Sequence, residues 1–376
     1  MLSIWEKQTF FAPTDVLIAG SGFVGLWSAY FLKKANPSLR ITIIDKGIVP
    51  TGASTRNAGF ACFGSVTELL LDVETMGTDS MLELVEKRFR GLQTIFETFK
   101  ASDIHYEQCG GYELITAREH ERYPDLFEKI AWLNDAVSPI TRKKHTYRFI
   151  DEPKAFGFEN IHSIISNELE GGLHSGWLCR MLLLKVQEMG VIVLSALGIE
   201  AFNHIGDHLE IATDRGIVLK TNYLLICTNA FAAKLHASVN ISPARGQVLL
   251  TSPIEGGVPK GAFHCDEGFY YFRNLGDRIL LGGARNKAFD EEATAELAVT
   301  DRIQSELELF LRQVVLPGRS YTITDRWSGI MGMSDEKKPV IRQLEQHVYC
   351  AIGLGGMGVA LAPTVALEVA DLLTQR

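Results

Sequence analysis

Long apolar runs are missing from this chain. No stretch approaches the roughly 18 consecutive apolar residues that a membrane-spanning helix requires. Positive charge is not concentrated either. The formal net charge is -8, and the densest basic run is Arg142-Lys143-Lys144. A phosphate backbone rewards clustered Lys and Arg, so nucleic acid is excluded as the main partner. Cysteine is sparse: the six, at positions 62, 109, 179, 227, 265 and 350, form no close pairs. That excludes a disulfide framework and a zinc site. The histidines show no metal-ligand spacing, so no metal is expected. The start, Met1-Leu2-Ser3-Ile4-Trp5-Glu6, shows no basic segment followed by an apolar one, and a cytoplasmic location is expected. Internal repeats and low-complexity linkers are also absent.

What is present is a globular composition. Of 376 residues, 46% are hydrophobic and 22% charged, enough to fill one large core or two smaller ones. The run Val16-Leu17-Ile18-Ala19 ends at Gly20. Helical spacing of Val24, Leu26, Ala29, Tyr30 and Leu32 follows, and Asn36-Pro37 stops it. A second run, Ile41-Thr42-Ile43-Ile44, ends at Asp45. Apolar runs of this length read as strands buried on both faces, so the segment is a βαβ unit of a parallel sheet.

Further along, Leu82, Val85, Phe89, Leu92, Phe96 and Phe99 predict a helix over 80–100, with Ser80 and Glu83 offering a capping box. Residues 101–165 are mixed and turn-rich. The α/β pattern returns with a helix over 177–189 and strands over 191–194 and 223–227. Between them, 208–211 and 216–220 flank the turn Asp214-Arg215-Gly216 and predict a small antiparallel insert. A β-rich block over 245–325 holds strands at 247–251, 269–273 and 279–282, then a helix stripe of Ile303, Leu307, Phe310 and Val314. A strand over 348–352, a glycine loop and a helix to about 373 close the chain. The expected fold is α/β. A Rossmann-like dinucleotide-binding domain of the glutathione-reductase type takes 1–85, 166–244 and 326–376. An inserted antiparallel-sheet substrate domain takes 86–165 and 245–325.

The strongest local signal is Gly20-Ser21-Gly22-Phe23-Val24-Gly25. The first glycine permits the tight turn, the second lets a pyrophosphate approach the backbone, and the third lets helix and strand pack closely. The phosphate then meets the unpaired N–H groups and positive end of the helix. Asp45, about twenty residues on, suits a ribose hydroxyl and repels a 2′-phosphate. A glycine-rich turn without a nucleotide is the competing reading. The second cluster, Gly353-Leu354-Gly355-Gly356-Met357-Gly358, lies between the last strand and the last helix. Taken alone it also suits a helix-packing loop before Pro363. Together, the two clusters set two helix starts over one extended cofactor and favour FAD over NAD. A third element, Gly52-Ala53-Ser54-Thr55-Arg56-Asn57-Ala58-Gly59-Phe60, suits a loop along the pyrophosphate and flavin edge; a plain surface loop is its alternative.

These motifs resemble the FAD-dependent D-amino-acid oxidase and glycine oxidase superfamily, and the Gly-Ala-Ser-x-Arg-Asn stretch leans toward its γ-glutamylputrescine-oxidase-like branch. The likeness spans nearly the whole chain: Gly20 to Gly25, Asp45-Lys46, Gly52 to Gly59, Gly171-Gly172-Leu173-His174, Cys227-Thr228-Asn229-Ala230, Arg245-Gly246-Gln247, and Gly353 through Val359 to Pro363. It implies a backbone contact to adenine at Ile199, and a passage of Thr228, Asn229 and Ala230 near the pyrophosphate and ribityl chain. Three departures matter. Met331 stands where glycine and D-amino-acid oxidases carry an arginine for the substrate carboxylate, leaving Arg273 or Arg285 as substitutes. No cysteine lies between Cys265 and Cys350 where sarcosine-oxidase relatives attach flavin, so non-covalent FAD is expected. Leu280 replaces their oxygen-activating lysine.

Flavin amine oxidation asks little of side chains, and no catalytic set of the Ser-His-Asp type is assigned. Tyr270, Tyr271 and Arg273 are candidates for a pocket wall, with Tyr271 and Arg273 on one strand face and Tyr270 and Phe272 on the other. Trp327 and Met331 are further substrate-binding candidates; a core role competes for all of these. The expected function is oxidation of a small amine or amino acid to an imine by hydride transfer to flavin N5, with O2 as acceptor and H2O2 as product. The alternatives are a dehydrogenase passing electrons to a quinone or protein carrier, and a non-catalytic flavin-binding subunit of a complex.

Overall fold

The computed structural model describes residues 1–150 and 156–374. Residues 151–155, within the expected 86–165 segment, and 375–376 lie outside that description. The chain divides into two units.

The first unit comprises 1–55, 175–244 and 331–376. Its sheet runs in the order Val340–Glu345, Val348–Ile352, Val218–Ile226, Thr14–Ala19, Ile41–Ile44, Ile192–Leu194. All neighbours are parallel except the edge strand Val340–Glu345. Ile41–Ile44 and Val348–Ile352 are buried at every position, as expected for strands covered on both faces. The helix Phe23–Ala35 packs on Gly358–Thr374 and on Ser175–Glu188.

The strand predicted at 223–227 and the insert strand at 216–220 are one element, Val218–Ile226. Its first half alternates buried and exposed residues and pairs antiparallel with His208–Thr213. Its second half is continuously buried and joins the parallel sheet. A change of hydrophobic pattern inside one strand had looked like a break.

The second unit comprises 56–174 and 245–330. Residues 56–85, 166–174 and 326–330 thus fall in this unit, where the sequence had placed them with the nucleotide-binding segments. Its eight-stranded sheet runs Ile323–Met333, Ser242–Thr251, Arg278–Gly283, Tyr270–Leu275, Ala262–Cys265, Gly111–Ile115, Ser163–Asn167, Arg148–Phe149. The pairing is mainly antiparallel, but Ala262–Cys265 and Gly111–Ile115 are parallel. One face, with Leu249, Phe263, Tyr270, Phe272, Ile279 and Leu281, buries the apolar stripe Ile303, Leu307 and Leu311 that follows Thr300.

Two local predictions need correcting. The helix Thr78–Thr98 starts behind Gly77, whose φ is +82°, so Ser80 lies inside the first turn and is not the cap. The turn-rich segment 101–165 holds a 16-residue helix, Leu126–Thr141, with Pro139 in its last turn. Proline cannot donate to the Asp135 carbonyl one turn back; the Ser138 hydroxyl donates to that oxygen instead, at 3.0 Å.

Candidate functional site

The first glycine turn is built by close backbone approach. Gly20 has φ +103°, and a Cβ on it would lie 3.0 Å from the Cys227 carbonyl oxygen. A Cβ on Gly25 would lie 2.0 Å from the Gly20 carbonyl oxygen, closer than any side chain permits. Strand and helix therefore meet only because both residues lack a side chain. The helix Phe23–Ala35 has Gly22 at its N-cap with no side-chain cap. The Ser54 hydroxyl reaches its start, accepting from the Phe23 N–H at 2.9 Å.

Asp45 completes this turn. Its Oδ2 accepts from Ser21 N and Ser21 Oγ at 2.7 and 2.6 Å, and its Oδ1 accepts from Gly47 N at 2.8 Å. A carboxylate offers about four acceptor positions, so one remains for a hydroxyl donor. Lys46 is exposed. The backbone N–H of Leu197 donates to the Asp45 carbonyl at 2.9 Å, and a Cβ on Gly198 would lie 3.5 Å from Lys46 Cγ. Ile199 therefore follows directly on the segment that borders Asp45 and Lys46. A helix start free of its own side-chain cap beside a fixed carboxylate fits a dinucleotide with its pyrophosphate at the helix and its ribose at Asp45.

The second glycine cluster opens on the same edge of the same sheet. Thr14–Ala19 and Val348–Ile352 both run parallel to Val218–Ile226, one on each side. Their carboxyl ends are thus two strand spacings apart, roughly 10 Å. Gly353 and Gly355 adopt φ of +78° and +56°. Asn229, itself left-handed at φ +47°, accepts from Gly353 N through Oδ1 at 3.0 Å. A Cβ on Gly332 would lie 2.4 Å from that same Oδ1, and one on Gly356 would lie 4.0 Å from Met331 Sδ. Gly20, Ser54, Thr228, Asn229, Met331 and the 353–358 loop therefore form one connected surface of the first unit. Ala230 and Val359 are buried just behind it, Gly355, Met357 and Gly358 are half-buried, and Gly356 is exposed.

In the second unit, residues 56–60 are tied down by their neighbours. Arg56 donates from Nη1 to the Ser328 carbonyl at 2.9 Å, and its own carbonyl accepts from Trp327 Nε1 at 2.9 Å. Asn57 Oδ1 accepts from Gly59 N at 2.8 Å. Gly59, at φ +75°, leaves no room for a side chain against the Leu173 carbonyl, 2.1 Å from where its Cβ would sit. Thr55 Oγ1 donates to the Pro50 carbonyl at 2.6 Å within the first unit.

Strand alternation separates the pocket candidates. Tyr271 shares a sheet face with Val248, Leu250 and Leu280, packed with Ala58, Phe60 and Trp327. Tyr270 lies on the opposite face, in the core, with its ring 4.6 Å from that of Phe310. Of the two candidates, Tyr270 thus takes the competing core role. Arg273 is on the Tyr271 side but buried. Its Nη1 donates to the Gly59 and Leu173 carbonyls at 2.7 and 2.9 Å, and its Nε to the Asn274 carbonyl at 3.1 Å. Burial lowers its pKa, and the guanidinium is committed to backbone rather than to a ligand.

Sequence reading missed a buried acid cluster in this unit. Glu170 Oε1 accepts from Phe63 N at 2.9 Å, and burial pushes its pKa up to about 8. Glu113 accepts from Thr67 N at 3.1 Å and is likewise raised by burial to about 8. A single Glu ahead of Gly171-Gly172 carries no signature in sequence; only tertiary burial reveals it.

The fold and this glycine-rich edge define a Rossmann-like, dinucleotide-binding class of oxidoreductase scaffold. More particularly, the chain belongs to the FAD dependent oxidoreductase family (DAO), whose sequence model matches residues 15–372. Its cofactor is FAD. The chain is 22% identical to "Probable oxidoreductase OrdL" of Haemophilus influenzae, covering 96% of this chain and 82% of that protein. It is 21% identical to γ-glutamylputrescine oxidoreductase of Escherichia coli, covering 96% and 83%. Among solved structures, glycine oxidase from Geobacillus kaustophilus shares the fold with a TM-score of 0.77 at 19% identity, over 97% of this chain and 95% of that one. Among the described residues, no helix is long and apolar enough to cross a membrane, and no group of His, Cys, Asp or Glu is arranged to hold a metal ion.

Proposed function

We propose that this protein oxidises a small amine or amino acid to an imine, holding FAD non-covalently and passing the electrons to O2. The observation that carries the reading is the shared sheet edge at which both glycine turns open, within a family of FAD-dependent oxidoreductases. Relatives named for γ-glutamylputrescine and glycine support the substrate class.

Gly20, Ser21, Gly22, Asp45 and Ser54 hold the pyrophosphate and ribose side of the cofactor. Lys46 and Ile199 border its adenine, Thr228 to Ala230 its ribityl chain, and Gly353 to Val359 its flavin edge. Bound FAD supplies the hydride acceptor at N5. The chain's task is to receive the amine in its neutral form and to exclude water from it. The apolar face of Val248, Leu250 and Leu280 suits both demands, since desolvation disfavours an ammonium. Burial lifts Tyr271 to about 12, so its phenol stays neutral and serves as a hydrogen-bond donor, not a base. Trp327 and Met331 are secondary contacts in this reading. A cytoplasmic location is part of the same proposal.

Anaerobic mixing with a panel of amines and amino acids tests the proposal. Bleaching of the 450 nm flavin band, followed by recovery on admitting air with peroxide formed, is the expected result; a band that stays oxidised throughout overturns it. One observation favours a second acceptor reading: buried Leu280 offers no cation where sarcosine oxidases place their lysine. Reoxidation by a quinone dye but not by air would establish the dehydrogenase form.

A further inference from the structure

The sheet of the second unit carries, on the side away from its apolar core, a polar group that amine oxidation does not use. His264 and Glu113 are cross-strand neighbours on Ala262–Cys265 and Gly111–Ile115, and Asn167 pairs with Gly111 on the next strand. Neighbours in register share a face, as do residues two apart in a strand. His264, Glu113 and Asn167 therefore stand together, opposite Phe263 and Leu114 in the core. Gly111 makes room for a fourth member. A Cβ there would lie 2.0 Å from Glu170 Oε2, so the Glu170 carboxyl lies over the bare glycine.

Glu170, Asn167 and His264, with Glu113 and Tyr147, line a cavity that leaves the centre of a water molecule about 10 Å³. That is room for one water and for nothing organic. Three polar atoms at its wall are unspent among the described residues. Glu170 accepts from Phe63 N and Gly64 N through Oε1, which leaves Oε2. Asn167 Oδ1 accepts from Leu169 N at 3.1 Å, which fixes the amide and leaves Nδ2. Asn167 Nδ2 and His264 Nε2 have no hydrogen-bond partner there, although the two residues are only 3% and 7% exposed. Buried polar atoms are costly when unpaired. The other polar groups around the cavity have partners of their own. Tyr147 donates its hydroxyl to the Gly64 carbonyl at 2.8 Å, Glu113 accepts from Thr67 N, and Arg88 Nη1 donates to the Phe63 carbonyl and Glu68.

We infer that this cavity is a binding site for a single water molecule, which accepts from Asn167 Nδ2 and from a protonated Glu170 Oε2 and donates to His264 Nε2. The donor set selects the ligand. An amide N–H repels a metal ion and an ammonium, and the carboxyl groups of Glu68, Glu113 and Glu170 repel an anion. Water both donates and accepts. Burial supports the same proton positions, raising Glu170 to about 8 and lowering His264 to about 4. His264 then carries its one proton on Nδ1. The water completes a clasp: through Glu170 it ties the backbone of Phe63 and Gly64 to the strand Ala262–Cys265. The site is independent of the amine-oxidation reading.

Two measurements on the unaltered holoprotein at pH 6 test the site. A crystal structure at near-atomic resolution should show one water within about 3.2 Å of Glu170 Oε2, Asn167 Nδ2 and His264 Nε2. NMR of the protein labelled with 15N-histidine should show His264 protonated on Nδ1 and bare on Nε2, its signal assigned by its loss in His264→Phe. Two variants test the clasp by amide exchange. His264→Phe keeps a ring against Phe60, 5.0 Å away in the unaltered protein, but removes the acceptor. Exchange at Phe63 and Gly64 should rise about tenfold in this variant, with the core amides of Leu249 and Leu281 unchanged. Glu170→Gln offers an N–H in place of the O–H and should keep both the water and the protection. A cavity without a water peak, a His264 proton on Nε2, or exchange at Phe63 and Gly64 that does not change in His264→Phe overturns the inference. A rise of equal size at Leu249 and Leu281 overturns it as well, since the effect would then be general loss of stability.

Discussion

Replacing Glu170 by Gln should change how stability depends on pH, and the structure sets both sign and size. Glu170 is 2% exposed. Its Oε1 accepts from the N–H groups of Phe63 and Gly64 at 2.9 and 3.4 Å. Burial, followed by the charges of Glu68 and Glu113, lifts its pKa from an ordinary 4.5 to about 8. A raised carboxyl pKa means that the folded state keeps a proton the unfolded chain gives up. Its contribution is therefore complete below pH 4.5 and is lost as pH rises towards about 8. The limiting slope is about 1.4 kcal/mol per pH unit. Glu113 titrates in the same range and shares part of the effect, so the loss assignable to Glu170 is on the order of 2–4 kcal/mol. Gln imitates the protonated acid and keeps an acceptor for both N–H groups. Glu170→Gln should thus match the unaltered protein at pH 5 and exceed it at pH 8.5, measured by urea midpoints and by amide exchange at Phe63 and Gly64. Parallel pH profiles for the two proteins would refute the reasoning.

Four further outcomes follow from the same geometry. Gly25→Ala should prevent a stable holoprotein, because its Cβ would meet backbone 2.0 Å away. Gly22→Ala meets only the movable Ser54 hydroxyl at 2.9 Å; it should fold and weaken FAD binding by about tenfold, the worth of roughly one hydrogen bond, read by flavin fluorescence titration. Asp45→Asn removes the charge that fixes Ser21 and receives the ribose; a loss of about 1.5–3 kcal/mol in FAD binding is expected, and calorimetry checks it. Arg273→Met should destabilise the second unit by about 2–4 kcal/mol, since it strands buried carbonyls at Gly59 and Leu173. A raised KM with unchanged unfolding would instead return Arg273 to the substrate.

The nucleotide-binding core was the most legible part of the sequence. Two fully buried runs, a glycine turn and Asp45 determine each other locally, so strand, turn and helix could be read without tertiary context. Elsewhere local pattern was not enough. The helix Leu126–Thr141 was hidden by Pro139, because the compensating bond from Ser138 to Asp135 cannot be seen in composition. Alternation separated Tyr270 from Tyr271, but only the helix Asp301–Phe310 packed on the far face shows which of the two is core. Arg273 and Arg285 were equivalent as sequence. One proved tied to three carbonyls and the other, among the described residues, to none, a distinction made by residues far apart in the chain.

The claim on which the account depends is that the glycine-hinged edge of the first unit holds FAD without a covalent bond. An absorbance spectrum of the purified protein, repeated on the supernatant after heat denaturation, tests it most directly. The account predicts flavin bands in the native protein and equimolar free FAD released into solution. A colourless protein that takes up no added FAD, or a flavin that stays with the precipitated chain, would contradict it.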